Sequence, residues 1–346
     1  MFVIRPVTMN DLERLEQLAA LAGVGLTTLP RDRALLKKRI QKSIRSISEF
    51  ADRPGGESYL FVMENTETKQ VVGASGIVSK VGGFEPFYAY QIEKTVFESA
   101  AINIRKEVPI LRLVEEHDGP CEVGSLFLDP AFRGDGNGRL LQLVRFLFIA
   151  EHPEAFEHTV VSEIRGIIDD NGHSPFWEAL GHHFFGIDFP QADYLSVVSK
   201  KFIADLMPDH PIYIQLLPKS AQDVIGKAHK DSVMAVRNLE DEGFVFADRV
   251  DIFDAGPVIT CERDQIRTVK MSRRGNVARI TDAPVQSPVY MISTAGAAAD
   301  FRACKSAIEV NASDGSVRLP DATAAVLDLR IGDAVRYVPL HAKERP

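Results

Sequence analysis

Apolar positions recur along this chain at spacings that predict short strands alternating with amphipathic helices. FVIRP (2–6) reads as a first strand. A helix follows in DLERLEQLAALAG, with Leu12, Leu15, Leu18 and Leu21 on one face and Thr8 or Asn10 as its cap. GVGLTTLP (23–30) is turn-rich, and the charged stretch Arg31–Arg45 is periodic around Leu35, Leu36 and Ile40. YLFVMEN (59–65) and VVGASGIVSKV (71–81) read as two strands about a turn at 66–69. Further on, HTVVSEIRG (158–166) predicts a strand, and SPFWEALGHHFF (174–185) a short helix ending at Gly181 and then a strand. DSVMAVRNLEDEGFVF (231–246) echoes that helix–strand pattern. From about residue 285 the character changes. IEVNASDGSVRLP, AVLDLRIGD and AVRYVPL read as short strands joined by Asn-Ala-Ser-Asp-Gly and Ile-Gly-Asp turns.

The run LFLDPAFRGDGNG (126–138) carries the clearest chemistry. It predicts a short strand, a turn at Asp129-Pro130, and a glycine-rich loop opening into the helical run RLLQLVRFLFIA. Glycines let the backbone approach a ligand closely, and free amides at a helix start attract an anion. A dinucleotide loop needs Gly-x-Gly-x-x-Gly, whereas Gly134-x-Gly136-x-Gly138 has a different spacing. A nucleoside triphosphate loop needs Gly-Lys-Ser/Thr, which the chain lacks. A plain connecting turn would share the glycines, but the flanking strand, proline and helix favour a phosphate loop. The layout Arg133-x-x-Gly136-x-Gly138 resembles the acyl-CoA pyrophosphate loop of the GNAT acyltransferases.

Composition narrows the partners. The 346 residues suffice for more than one core, and a net charge of −8 offers no basic surface for nucleic acid or an anionic membrane. No apolar run reaches the roughly 20 residues of a membrane span, and no signal peptide opens the chain, so a cytoplasmic protein is expected. Cys121, Cys261 and Cys304 are widely spaced and predict reduced thiols. Cys121 lies near the loop, where a nucleophile is conceivable, but direct attack of an amine on a thioester needs none. No metal-ligand spacing is present.

Several segments together resemble the arginine N-succinyltransferases. They are VIRPV, GLTTLP (25–30), SLFLDPAFRGDGNG (125–138), RGIIDDNGHSPFWEALGHHFF (165–185), MPDHPIY (207–213), AQDVIGKAH (221–229) and DIFDAGP (251–257). The likeness covers about the first 260 residues. It implies an α+β GNAT-like fold, a mixed and mostly antiparallel sheet with flanking helices. The expected division is a GNAT-like acyl-CoA-binding domain over 1–200, an α/β segment over 201–284 that is a candidate for a degenerate second GNAT-like half, and a small β-rich module over 285–346. The implied reaction moves a succinyl group from succinyl-CoA, a cosubstrate and not a bound cofactor, to the α-amino group of L-arginine. Ornithine or another amino acid as acceptor, or a non-catalytic partner subunit, are the alternatives. A homo-oligomer or pairing with a related subunit is also implied.

By motif, Leu126 corresponds to the family's succinyl-CoA-binding residue and His229 to its proton donor. Local context alone would not have chosen His229 over His173, His182 or His183. The pyrophosphate would lie on Arg133, Gly134, Gly136, Asn137 and Gly138. Phe176 and Trp177 either flank the pantetheine arm or pack in a core. Glu122, Glu163 and Arg165 lie on strands beside the acyl site and are candidates for the acceptor or acyl pocket, with a plain inter-strand ion pair as the competing reading.

Overall fold

The structure is a computed structural model and describes residues 1–341 except positions 24, 25, 27, 84 and 284. Within the turn-rich stretch at 23–30, positions 24, 25 and 27 therefore lie outside the described residues. Strand β1 (Phe2–Pro6) leads to helix α1 (Leu12–Ala22). The Thr8 amide donates to the Asp11 carboxylate at 2.7 Å, so Thr8 and not Asn10 caps the 3-10 turn Met9–Asp11 that leads into α1. Leu12, Leu15 and Leu18 are buried as their spacing predicts, but Leu21 is 57% exposed and faces the large cavity described below. Helix α2 (Arg33–Ser48) is capped by the Asp32 side chain and buries Leu36 and Ile40. Strands β2 (Ser58–Asn65) and β3 (Val71–Val78) pair antiparallel about the expected turn.

The next elements carry weaker sequence signals. Strands β4 (Phe87–Ser99) and β5 (Ile104–Glu116) form a long hairpin that apolar alternation did not mark. Its outer half exposes Val96, Phe97, Ile102 and Ile104. Strand β6 (Cys121–Leu128), helix α3 (Asn137–Glu151) and strand β7 (Thr159–Glu163) follow. Helices α4 (Pro175–Ala179), α5 (Gly181–Phe185), α6 (Phe189–Val198) and α7 (Lys201–Leu206) come next. The strand expected after Gly181 is instead α5. Gly186, at φ 65°, supplies its left-handed cap, and the Gly186 amide donates to the His182 carbonyl at 2.9 Å. Trp177 and Phe176 are fully buried against Tyr90, Ile252 and Phe253, which decides for core packing.

Strand β8 (Ile212–Tyr213), helices α8 (Lys219–Gln222) and α9 (Val233–Asp241), strands β9 (Val245–Val250) and β10 (Pro257–Glu262) and helix α10 (Arg267–Met271) complete the central part. The C-terminal strands are β11 (Arg273–Thr281), β12 (Val289–Thr294), β13 (Ala303–Ala307), β14 (Glu309–Val310) and β15 (Val317–Pro320). Helix α11 (Asp321–Leu327) and strand β16 (Ala334–Pro339) close the chain. The strand expected within AVLDLRIGD is displaced by α11. Its run DATAAVL is rich in alanine, a strong helix former, and Asp328 at φ 55° ends it.

These strands join one mixed sheet in the order β14-β15-β11-β16-β12-β13-β1-β2-β3-β6-β7-β10-β9-β4-β5-β8. The β4–β5 hairpin, though close to β6 in sequence, is separated from it by β7, β10 and β9. Strand β11 already pairs with β15 and β16, so the C-terminal set of strands begins at Arg273. Helix α3 is apolar nearly all round, and it contacts β3 and β6 as well as α9 and α10. The main core forms there, where Phe148 meets the rings of Tyr59, Phe61, Phe156 and Phe301.

Candidate active site

Two parallel strands that part company open the site. β6 and β7 pair only at Cys121–Val160 and Glu122–Val161. Beyond that, β6 stays with β3 while β7 pairs with β10. Between Gly124 and Phe127, β6 spends one residue more than β3 opposite it. Such a bulge frees a backbone amide from the ladder. Ser125, at φ 54°, makes the turn, and Leu126 follows it on the cavity wall.

The bulge is fastened from two sides. In front, the Ser125 amide donates to Thr28 Oγ1 at 3.0 Å, and Arg39 Nη2 donates to Ser125 Oγ at 2.8 Å. Behind, Arg145 reaches out of α3 and is fully buried. Its Nη1 donates to the carbonyls of Gly124 at 3.0 Å and Gly76 at 3.3 Å, and its Nε to that of Gln142 at 2.8 Å. Burial pulls the Arg145 guanidinium down to about 9. Replacing it should leave two buried carbonyls unpaired. Arg145→Met is therefore expected to cost about 2 kcal/mol of stability by urea unfolding. A loss under about 0.5 kcal/mol would show that those carbonyls find other partners.

After β6, the Asp129 carboxylate accepts the Ala131 amide at 3.0 Å and pairs with Arg14 at 2.7 Å. Gly134, Asp135 and Gly136 then take φ of 115°, 48° and 73°. Three successive residues with positive φ turn the chain sharply into α3, and all three border the cavity. The Leu140 amide makes the first helical bond, to Gly136, at 2.9 Å, so the amides of Gly138 and Arg139 precede it without a helical acceptor. Arg133, Gly134, Gly136 and Gly138 all line the cavity, as the loop reading expects. Asn137 does not line it. It is buried, and its Nδ2 donates to the Phe132 carbonyl at 3.1 Å, bracing the loop from behind. The C-terminal strands hold the loop as well, because Lys305 of β13 donates to the Asp135 carbonyl.

The opposite arm of the splay is acidic. Glu163 ends β7 and lines the cavity together with Glu122, Arg165, Asp251 and Asp254. Burial, and then the neighbouring Glu122, Asp251 and Asp254, push the Glu163 carboxyl well above the usual range. Asp251 and Asp254 are also raised by burial. Both are tied to backbone: Asp251 accepts the amides of Phe253 and Asp254 at 2.7 and 2.8 Å, and Asp254 those of Gly166 and Gly256 at 2.7 and 2.8 Å. Glu122, Glu163 and Arg165, the sequence candidates, are therefore brought together. They do not form the inter-strand ion pair of the competing reading. Arg165 Nε is buried without a hydrogen-bond partner.

His229 lies beside this arm but not on the cavity wall. Its amide donates to the Arg165 carbonyl at 2.8 Å, and its Nδ1 accepts the Asp231 amide at 3.2 Å. The second contact places the proton of the neutral ring on Nε2. Burial and the nearby Arg165 lower its affinity for a second proton. His173, His182 and His183 are exposed, whereas His229 is 7% exposed. Cys121 is buried and free, and burial pushes its thiol up, the opposite of what a nucleophile requires. Arg39, Lys42, Arg145, Lys200, Asp251 and Asp254 also line the cavity and escaped the sequence reading. Only Asp251 and Asp254 left a sequence signal, within DIFDAGP.

The cavity, about 1460 Å³, runs unbroken from the glycine loop past the bulge to the acidic arm. A profile described as arginine N-succinyltransferase beta subunit matches residues 2–268, and one for the C-terminal domain of that subunit matches residues 273–339. An arginine N-succinyltransferase of Salmonella schwarzengrund is 41% identical over 349 residues, covering 100% of this chain and 99% of its own. One of Salmonella paratyphi B is 41% identical over 350 residues with the same coverage. A solved structure of arginine/ornithine succinyltransferase subunit AI from Pseudomonas aeruginosa is 32% identical and covers 99% of each chain at a TM-score of 0.91. With likeness along its whole length, the chain belongs to the arginine N-succinyltransferase family.

Proposed function

We propose that this chain transfers the succinyl group of succinyl-CoA to the α-amino group of L-arginine in arginine catabolism. The carrying observation is the continuous cavity with an anion-binding loop at one end and a carboxyl cluster at the other. CoA brings a pyrophosphate, and the amides about Gly134–Arg139 suit it, aided by the positive end of α3. The thioester carbonyl gains negative charge as the amine attacks, and the backbone amide of Leu126 at the bulge is the donor for it. The acceptor's cationic group goes to Glu163. Asp251 and Asp254 already hold backbone amides, whereas the Glu163 side chain has no hydrogen-bond partner among the described residues and is crowded by like charges that a guanidinium would neutralise. Arg165, with its unpaired Nε, suits the acceptor's carboxylate. His229 is the proton-donor candidate, with Nε2–H the group that stabilises the departing thiolate.

Assembly with a second chain, its own copy or a related subunit, and a cytoplasmic location belong to the same proposal. Exposed Val96, Phe97, Ile102 and Ile104 on the β4–β5 hairpin support the first. Among the described residues no helix is long and apolar enough to cross a membrane.

Thiol release from succinyl-CoA tests the reaction. Purified protein is expected to release CoA with L-arginine and to form an equal amount of N-succinylarginine by mass spectrometry. Ornithine is the second acceptor to compare, because the Pseudomonas relative is an arginine/ornithine succinyltransferase subunit. A higher kcat/KM for ornithine would move the acceptor assignment to it. No CoA release with either amino acid from folded protein would overturn the enzymatic reading.

A further inference from the structure

Arg39 lies on the cavity wall on the β6 side and carries a buried nitrogen with no partner. It extends from α2 and lines the cavity beside the bulge. One end of its guanidinium is anchored, with Nη2 donating to Ser125 Oγ at 2.8 Å. Its Nε is buried and has no hydrogen-bond partner. Among the described residues no carboxylate stands within ion-pair distance of it. Glu122 attracts it only from further off, and burial lowers the guanidinium below its ordinary range. A buried cation left half-solvated is costly unless something pairs with it. The fold keeps this one in place, pinned to the residue that precedes Leu126.

That position has a chemical meaning if Leu126 holds the thioester carbonyl. In a succinyl thioester the second carboxylate lies about 4 Å from the thioester carbon, the span of three bonds. A guanidinium attached to the adjacent residue is within that reach. Lys42, one turn along α2, lines the same wall, and Arg145 stands behind the bulge. Arg39, Lys42 and Arg145 thus stand on the β6 side together with Glu122, and the carboxyl cluster of Glu163, Asp251 and Asp254 stands on the β7 side together with Arg165 and Lys200. Arg165, whose Nε is likewise buried and unpaired, is on the β7 side, next to the place proposed for the acceptor.

We propose that Arg39 reads the terminal carboxylate of the acyl group and so selects a succinyl donor over an acetyl donor. This inference rests on the succinyl-transfer reading. Arg39 is a specificity residue here, because it touches the acyl tail and not the bonds that form and break.

The test compares succinyl-CoA with acetyl-CoA, at saturating L-arginine, for wild type, Arg39→Met and Arg39→Lys. Because Arg39→Met also releases the bulge that Arg39 fastens, kcat/KM is expected to fall with both donors, but about a hundredfold for succinyl-CoA and no more than about tenfold for acetyl-CoA. The KM for arginine should stay within about twofold, and Arg39→Lys should restore part of the succinyl preference. Equal losses with both donors would overturn the inference, since that is the mark of a structural role. A raised arginine KM with donor preference intact would also overturn it, placing Arg39 at the acceptor. If Arg39→Met does not fold, judged by its melting curve, Arg39→Lys alone decides. An unchanged succinyl-to-acetyl ratio in that variant, which keeps the charge but not the fork, would then reject the assignment. Failure of the underlying reading looks different. Wild type would then transfer acetyl as readily as succinyl, or neither, before any variant is compared, and the inference would fall with it.

Discussion

His229→Ala is expected to lower kcat about a hundredfold or more while leaving the KM for succinyl-CoA within about threefold. The kinetic split follows from position. His229 is more than ninety residues from the glycine loop in sequence, and it does not line the loop end of the cavity, where the pyrophosphate end of CoA would lie. It is instead joined to the acidic arm, through the Arg165 carbonyl at 2.8 Å. A side chain there has little to lose in donor binding. His229→Gln offers an amide N–H in place of the imidazole Nε2–H and should retain more turnover than alanine.

The ring also sets an expectation for pH. Burial and Arg165 depress its protonation relative to a free histidine near 6.5. The neutral ring, with its proton on Nε2, is therefore the form present at pH 7. Because the folded-state value is depressed, the stability tied to the neutral ring is complete above the unfolded value. It is lost as pH falls through the lower folded one. A proton donor works in its protonated form, so the limb of kcat set by His229 should fall as pH rises through a value below the usual histidine range, and it should vanish in the alanine variant. An unchanged kcat in His229→Ala would retire this residue from proton transfer.

Gly136→Val should raise the KM for succinyl-CoA about tenfold, with the KM for arginine little changed. Gly136 adopts φ 73°, and a β-branched residue there costs on the order of 1–2 kcal/mol or forces the backbone to rotate. The added Cβ itself finds room, since the nearest atom is Leu340 Cδ2 at 3.5 Å. The effect should therefore come from the backbone, by turning amides away from the pyrophosphate. A change confined to the arginine KM would show that the loop serves the acceptor and not CoA.

The loop was legible because its chemistry is local. Strand, proline, glycines and helix follow one another within a few residues, and positive φ can be read from glycine spacing. The single departure, Asn137, turned on packing: its side chain points back to Phe132, which spacing does not reveal. Helices α1 and α2 were equally legible from their apolar faces, apart from Leu21, which meets the cavity. The segment after Gly181 and the run before Asp328 misled, because short apolar stretches fit strand and helix alike. There, residues in left-handed conformation, Gly186 and Asp328, end helices.

The acceptor side was hardly legible. Glu163 lies about ninety residues before Asp251 and Asp254 in sequence, and they meet only because β10 pairs with β7. Arg39 looks like one more charge on the polar face of an amphipathic helix, and nothing local shows that its Nε will be buried. Arg145 sits in the most apolar helix of the chain and reads as an anomaly until the bulge carbonyls come into view. By itself the sequence determined the strand, glycine loop and helix run, the order of the first elements and, through long shared segments, the family. Only the tertiary structure decided which charges share the cavity and which are left without partners. Those properties depend on burial and on contacts between distant segments, which a one-dimensional pattern does not contain.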